Sequence, residues 1–402
     1  MARGRRERLN DVIVFSGKSP SLWHRLRRAA LLALACTVAG CAAPAPQDAD
    51  APALVYVGSR TGHGLQALRF DARSGRLSAL GRVADVAVPR WLVGHPRLPV
   101  LYAASDDGAG RLIAFAVDRG TGALARTGEV PTGGNGPTYL WLDRPSMTML
   151  VAHYGSGSVA SIALRADGGL GAVTASVPFS GSGPNRRQAS SHAHGVVVAP
   201  GGRFALVPDL GADRVFVQRL EPGRQALAPV ESPAANAAHA WVAPPGSGPR
   251  HLVFGRDGRF AYLVSELTAE VTVLRWDAQA GRLALVQTLP LSSPGFQGAR
   301  SGSEIALGAD GRTLYVGNRG ESSVLVYRVD TQSGRLSLVQ RAASGGAGPW
   351  TFALHPSGRW LFVANERSNT LNVLRVDPRT GALSDTGVAA PVPAPISIAV
   401  LE

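Results

Sequence analysis

Six stretches of the chain repeat one phrase: HPRLPVLYAASDD from His95, DRPSMTMLVAHYG from Asp143, APGGRFALVPDLG from Ala199, GRDGRFAYLVSEL from Gly255, GADGRTLYVGNRG from Gly308 and HPSGRWLFVANER from His355. Their starts lie 48, 56, 56, 53 and 47 residues apart, and LVYVGSR from Leu54 supplies the second half of a seventh copy. Self-similarity of this period restricts the chain to a repeat architecture before any other property is weighed. Each copy is a polar turn carrying Gly or Pro, then alternating apolar residues such as Phe204 and Leu206 or Tyr262 and Val264, the period of a half-buried strand.

A second phrase follows the first: LRFDARSGRL from Leu68, FAVDRGTGAL from Phe115, LRWDAQAGRL from Leu274, YRVDTQSGRL from Tyr327 and LRVDPRTGAL from Leu374. Asp followed a few residues later by Gly is hairpin-turn chemistry, and a strand on either side brings each unit to about four strands. Such units without intervening helices predict an all-β fold, a seven-bladed β-propeller with four-stranded blades over residues 53–402. The final APISIAVLE resembles the innermost strands GPRHLVFG and GPWTFALH, and its remaining partners are LVYVGSR and GLQALRF at the other end. The ring is therefore expected to close with N- and C-terminal strands sharing one blade. The 48 Gly and 28 Pro suit a core cut up by tight turns.

Residues 1–40 stand outside the repeat. WHRLRRAALLALACTVAGCAAPAPQ has basic residues up to Arg28, an apolar run from Ala29 and small residues at its end, the layout of an export signal. The run is too short to span a bilayer comfortably. Val38-Ala39-Gly40-Cys41 resembles the bacterial lipobox, whose cysteine is lipidated and becomes the first residue after cleavage. The expectation is an exported lipoprotein of the periplasm or cell envelope, held by a lipid anchor at Cys41, with residues 41–52 as a flexible tether. The alternative is that Cys41 is one small residue in a soluble-secretion signal. Either way Cys36 leaves with the leader, and no disulfide is available to the domain.

Residues 1–40 carry 8 Lys plus Arg and 2 Asp plus Glu, so the rest keeps 33 against 26, a net charge near +7 rather than the +13 of the whole. These charges are scattered through turns and not clustered with aromatics, which excludes nucleic acid as the expected partner. Monomer is the default expectation for a closed ring.

Aligning the units on their turns brings functional candidates together. Five residues before each turn stand Arg90, Thr138, His194, Arg250, Ser303 and Trp350; eleven after each start stand Arg60, Asp106, Tyr154, Leu210, Glu266, Arg319 and Glu366. Adjacent strands in a blade are antiparallel, so the beginning of one and the end of the next share a face of the disc. Both rings surround one entrance of the central channel, with His153 and Asn318 one residue away. A convergence of both signs of charge in a concave mouth is where pKa values are tuned and anions held. The alternative is that blade-end charges pair and seal the channel.

The stretches SHAHGVVVAPGGRFALVPDLGADRVFVQRL, GPRHLVFGRDGRFAYLVSELTAEVTVLRWD, EIALGADGRTLYVGNRGESSVLVYRVD and GPWTFALHPSGRWLFVANERSNTLNVLRVD resemble the lactonase family of seven-bladed propellers, which includes bacterial 6-phosphogluconolactonase and fungal carboxy-muconate cyclase. The resemblance runs from about Leu54 to the C-terminus. It implies a site made of a histidine in an HAH or HPH stretch, the arginine of GPRH, the glutamate of NEL and the arginine of NRG, which fall here on His194, Arg250, Glu266 and Arg319. Two departures stand beside them: Ser265 replaces the usual asparagine of NEL, and His153 that of NYG.

The chemistry so implied is lactone hydrolysis or its reverse. Arg250 and Arg319 hold a carboxylate, phosphate or developing oxyanion, Glu266 activates water or shuttles a proton, and His194 protonates the leaving alkoxide. Arg90, His153, His192, Asn318 and Glu366 are the expected substrate contacts. No cofactor is expected. His192 and His194, two apart on an extended segment, face one side and suit a metal, but no third ligand stands at a characteristic spacing, so no metal is assigned. G-x-S-x-G, H-E-x-x-H and a nucleophilic cysteine are missing from the domain. An exported chain would more naturally meet an unphosphorylated sugar lactone than a cytosolic phosphorylated one. A non-catalytic propeller that binds a protein or glycan in the envelope is the competing class.

Overall fold

The computed structural model describes residues 52–230 and 239–402; the export signal, Cys41 and all of the tether but Pro52 lie outside the described residues. Among the described residues seven antiparallel sheets succeed one another. The first blade runs Pro395–Leu401, Ala53–Ser59, Leu65–Asp71 and Arg76–Ala84, and the others follow over 89–131, 137–178, 197–242, 249–290, 302–343 and 349–391. Leu54 pairs with Leu401 and Val57 with Ile398, so the two ends of the chain close the ring within one sheet, as the repeat predicted.

The predicted hairpins form for the predicted reason. Asp71, Asp118, Asp277, Asp330 and Asp377 each turn a carboxylate oxygen onto the backbone N–H two residues on. The glycine four residues after each donates to that Asp's carbonyl at 2.7–2.9 Å. Those glycines hold φ between +64° and +80°, which a side chain would strain.

The fourth blade departs from the pattern. Its outer strand is split: Ala226–Pro229 pairs with one half of Arg214–Glu221, and Ala240–Val242 with the other. The longer spacing around this unit is absorbed there. Its inner strand shrinks to Val197–Val198, because the chain arriving from Ser191 is tied down irregularly, by a bridge between Ala193 and Asp209 and by the His194 N–H donating to the Pro208 carbonyl at 2.9 Å.

The core lies between blades rather than within them. Tyr262 and Val264 of the fifth blade, for example, pack with Val316, Leu325 and Tyr327 of the sixth. Polar ties index neighbouring blades: the buried hydroxyls of Tyr56, Tyr102 and Tyr315 donate to the carbonyls of Gly122, Gly168 and Gly381 in the next blade's hairpin, at 3.0, 2.6 and 2.9 Å. At the closure Trp360 does the same work, donating Nε1 to the Ala72 carbonyl at 3.1 Å and setting its ring edge-on to Phe70. Such packing sets seven rigid strand ends around one channel mouth.

Candidate functional site

A register break aims the residues of the inner ring. Pro89 pairs with Ser105 and Trp91 with Ala104, so Arg90 is left over. Thr138, Arg250 and Trp350 are skipped in the same way, and Ser303 lies in the irregular stretch between Gly302 and Ile305. A bulge of this kind turns a side chain out of the strand's alternation. In the closing blade the skipped residue is Ile396, an apolar member of an otherwise mostly polar ring.

The two rings meet at two adjoining cavities. One of about 390 Å³ is lined by Arg90, Asp106, Thr138, Tyr154 and His194; the other, about 330 Å³, by Arg60, Ser301, Arg319, Glu366 and Arg367. Arg187, Glu266 and Trp350 line both. Alignment of the repeats had placed every one of these except Ser301, Arg187 and Arg367 on the mouth.

Glu266 is the centre. Its backbone N–H donates to the Gly248 carbonyl at 2.8 Å and its carbonyl accepts from Gly302 at 2.9 Å, which fixes it at the end of Phe260–Ser265. The residue is 3% exposed. Its Oε2 receives Arg250 Nε at 3.0 Å and Arg319 Nη2 at 2.9 Å and lies 3.6 Å from His194 Nε2. Its Oε1 receives Arg187 Nη1 at 2.5 Å. Burial pushes this carboxyl up, but the charges of Arg319, Arg250 and Arg187 outweigh it and hold it far below the usual carboxylate range. His194 moves down, through burial first and the Arg250 charge second, so it is neutral at pH 7. Its Nδ1 is buried without a partner.

Arg250 is 1% exposed, and burial draws it down to about 10, still charged at neutral pH. It also donates to the Ser303 carbonyl. Beneath it lies a layer that the alignment did not find: His251 Nδ1 meets Glu304 Oε1 at 2.9 Å, and Glu304 accepts from the Thr351 hydroxyl at 2.8 Å and the Ile305 N–H at 3.0 Å. Trp91 and Tyr139 set their rings edge-on to His251. On the other side, two guanidiniums lie against the Trp350 ring, Arg60 at 4.0 Å and Arg319 at 4.6 Å from its centre. Arg60 in turn pairs with Glu366 at 3.0 Å, and Arg90 with Asp106 at 2.8 Å.

Of the expected site residues, His194, Arg250, Glu266 and Arg319 come together, and Arg90 and Glu366 stand at the rim. His153 and Asn318 do not line the cavities. Each precedes a ring residue by one position, and strand alternation sends it to the other side. His153 is fully buried over Gly134, with Nδ1 3.3 Å from the Ser158 hydroxyl, and burial takes it down to about 4. Asn318 clasps a loop, donating to the Leu291 carbonyl and Glu321 and accepting from Gly320. His192 is a support: it stacks on Tyr154 at 4.4 Å between ring centres, and its Nδ1 meets the Tyr154 carbonyl at 2.7 Å. Among the described residues no three His, Cys, Asp or Glu side chains converge as a metal site.

Comparison with known proteins agrees with this architecture. The profile of the family described as "Lactonase, 7-bladed beta-propeller" matches residues 54–400. The 6-phosphogluconolactonase of Bacillus subtilis is 29% identical over 301 residues, covering 74% of this chain and 83% of its own. That of Formosa agariphila is 27% identical over 310 residues, covering 75% and 86%. The solved structure of a periplasmic gluconolactonase from Pseudomonas aeruginosa superposes with a TM-score of 0.80 at 36% identity, covering 88% of this chain and 99% of that one. The chain belongs to the lactonase family of seven-bladed β-propellers.

Proposed function

We propose that this chain hydrolyses a sugar lactone, of the 6-phosphogluconolactone type or an unphosphorylated aldonolactone, at the mouth around Glu266. The observation that carries this reading is the division of labour on that carboxylate: Oε2 is engaged by Arg250 and Arg319, with His194 3.6 Å away, while Oε1 is held by Arg187, which lines both cavities together with Glu266. A cavity of about 390 Å³ falls within the size range of small-molecule sites.

In this reading a water adds to the lactone carbonyl and gives its proton to Glu266 Oε1. The ring C–O bond breaks, and Glu266 returns that proton to the alkoxide, leaving a hydroxy acid. Arg319, which lines the mouth, supplies a donor to the carbonyl oxygen as it becomes anionic, with the charge of the buried Arg250 behind it. A donor that swings from the carboxylate to the substrate oxygen also raises the proton affinity of Glu266, which offsets the depression it shows at rest. His194 is held neutral and lies 3.6 Å from Glu266 Oε2, so in this reading the proton returns from Glu266 rather than from His194, the donor expected from the sequence.

The test is turnover of δ-gluconolactone and 6-phosphogluconolactone by the domain from Ala42 onward, with spontaneous hydrolysis subtracted. Acceleration of either is the expected result. No acceleration of any lactone by folded protein would leave the reading without an activity and favour a binding platform.

We propose further that the chain is an exported lipoprotein anchored at Cys41. The leader layout and the lipobox-like Val38-Ala39-Gly40-Cys41 support it, and one relative is described as periplasmic. Full-length protein is expected in the membrane fraction and Cys41→Ser in the soluble or unprocessed fraction; identical distribution of the two would refute the anchor.

A further inference from the structure

Arg187 sits where the two lobes of the mouth meet. It gives Nη1 to Glu266 Oε1 at 2.5 Å and Nη2 to the Tyr154 hydroxyl at 3.3 Å. Because Oε2 is committed to Arg250 and Arg319, Oε1 is the oxygen through which Glu266 can take a proton from a molecule in the mouth. Arg187 covers that oxygen. Any substrate that uses Glu266 as a base must first move this guanidinium.

The backbone beneath it is fixed. Neighbouring Gln188 is fully buried and donates Nε2 to the Leu210 carbonyl at 2.8 Å and to Asp213 at 2.7 Å. Asp213 also accepts from the N–H groups of Gly246 at 2.6 Å and Gly248 at 2.8 Å, and the Arg187 N–H is held by Asn185 at 3.0 Å. Movement is therefore confined to the Arg187 side chain, which is 41% exposed where that of Glu266 is 4% exposed.

The surroundings favour an anion as the agent that moves it. Of the carboxylates lining the lobes, Asp106 is paired with Arg90 and Glu366 with Arg60. Glu266 takes Arg187, Arg250 and Arg319, of which Arg250 also has Glu304 beneath it. The balance there stays positive, and of the three guanidiniums on Glu266 Arg187 is the one that solvent reaches. A guanidinium fork matches a phosphate or carboxylate in two parallel hydrogen bonds.

Resting on the assignment of Glu266, we propose that Arg187 is a specificity-determining latch: an anionic substituent on the lactone draws its guanidinium away from Glu266, binding the substrate and uncovering Oε1 in one movement. A neutral lactone has no group to take Arg187 and must compete with the ion pair. The shared chemistry is a second anionic group on the sugar acid, phosphate ester or carboxylate.

The test uses the stable opened acids and does not need turnover. Titration calorimetry of the domain with gluconate, glucarate and 6-phosphogluconate compares wild type with Arg187→Met and Arg187→Lys. Wild type is expected to bind 6-phosphogluconate about tenfold or more tighter than gluconate, the scale of one charge-assisted contact. Arg187→Met should lose that preference and Arg187→Lys keep part of it. If glucarate shares the preference, any second anion operates the latch; if it does not, phosphate alone does, and both results support the proposal. Equal wild-type affinity for gluconate and 6-phosphogluconate, or an unchanged ratio in Arg187→Met, overturns it. Should Arg187→Met fail to fold, the Arg187→Lys ratio decides alone. A protein that opens no lactone still reports on the latch through these affinities.

Discussion

Glu266→Gln is expected to lower kcat/KM for the best lactone by about 10²–10⁴-fold, the scale of general base catalysis. The substitution keeps the shape of the side chain and removes the negative charge and the proton-accepting oxygens. It also places an amide among Arg187, Arg250 and Arg319, three cations that lose their common counter-ion. Part of the loss can therefore come from a displaced Arg250, so the assay is paired with a thermal melt and with binding of gluconate. A variant that still binds gluconate and still melts cooperatively, yet turns over at the wild-type rate, would remove Glu266 from the proton path. If the loss lies in kcat with gluconate affinity kept, the carboxylate acts on the reacting atoms rather than on binding.

Much of the architecture could be read from the chain because its information is periodic. The phrase from Gly255 and its copies give strand, turn and strand at a fixed spacing, and antiparallel pairing then dictates which residues share a face. Antiparallel pairing alone places Arg90, His194, Arg319 and Trp350 around one opening. His153 and Asn318, expected as substrate contacts, fall one residue off the mouth, since one step along a strand exchanges mouth for interior. The difference is one of parity, and the register break at Arg90, Thr138, Arg250 and Trp350 shows in sequence only as the Gly-Pro or Val-Pro step before it.

Arg187 was out of reach for a different reason. It belongs to the segment between the third and fourth blades, which has no counterpart in the other units, so the alignment assigned it no position. Its placement depends on Gln188 and Asp213 meeting across 25 residues of sequence. The layer of His251, Glu304 and Thr351 was missed because each stands one residue beyond a ring position, in strands whose bulge reverses the usual alternation. Glu304 reads in sequence as an ordinary charge beside Ser303. Its significance comes from three blades converging on the channel axis.

That layer makes Arg250 the residue whose loss should be felt most in stability. Arg250 is buried between two carboxylates, touching Glu266 directly and supporting the negative charge of Glu304 beneath it. Arg250→Met keeps most of the stem's volume but leaves the Ser303 carbonyl without this donor and both carboxylates with less counter-charge. Breaking a buried pair by removing one partner costs about 3–5 kcal/mol. The expected reading is a lower urea midpoint at pH 7.5. Glu266 and Glu304 are both held below the ordinary carboxylate value of 4.5 in the folded protein, against the upward push of burial. Their stabilisation is therefore complete above that value and is lost as pH falls through the depressed ones. In Arg250→Met both carboxyls rise, protonate sooner and need less counter-charge, so the gap between variant and wild type should be widest at neutral pH and narrow below about pH 4.5. A gap that stays constant with pH would mean that Arg250 stabilises the mouth by packing alone, and no gap at all would mean that Arg319 and His251 suffice to hold the two carboxylates.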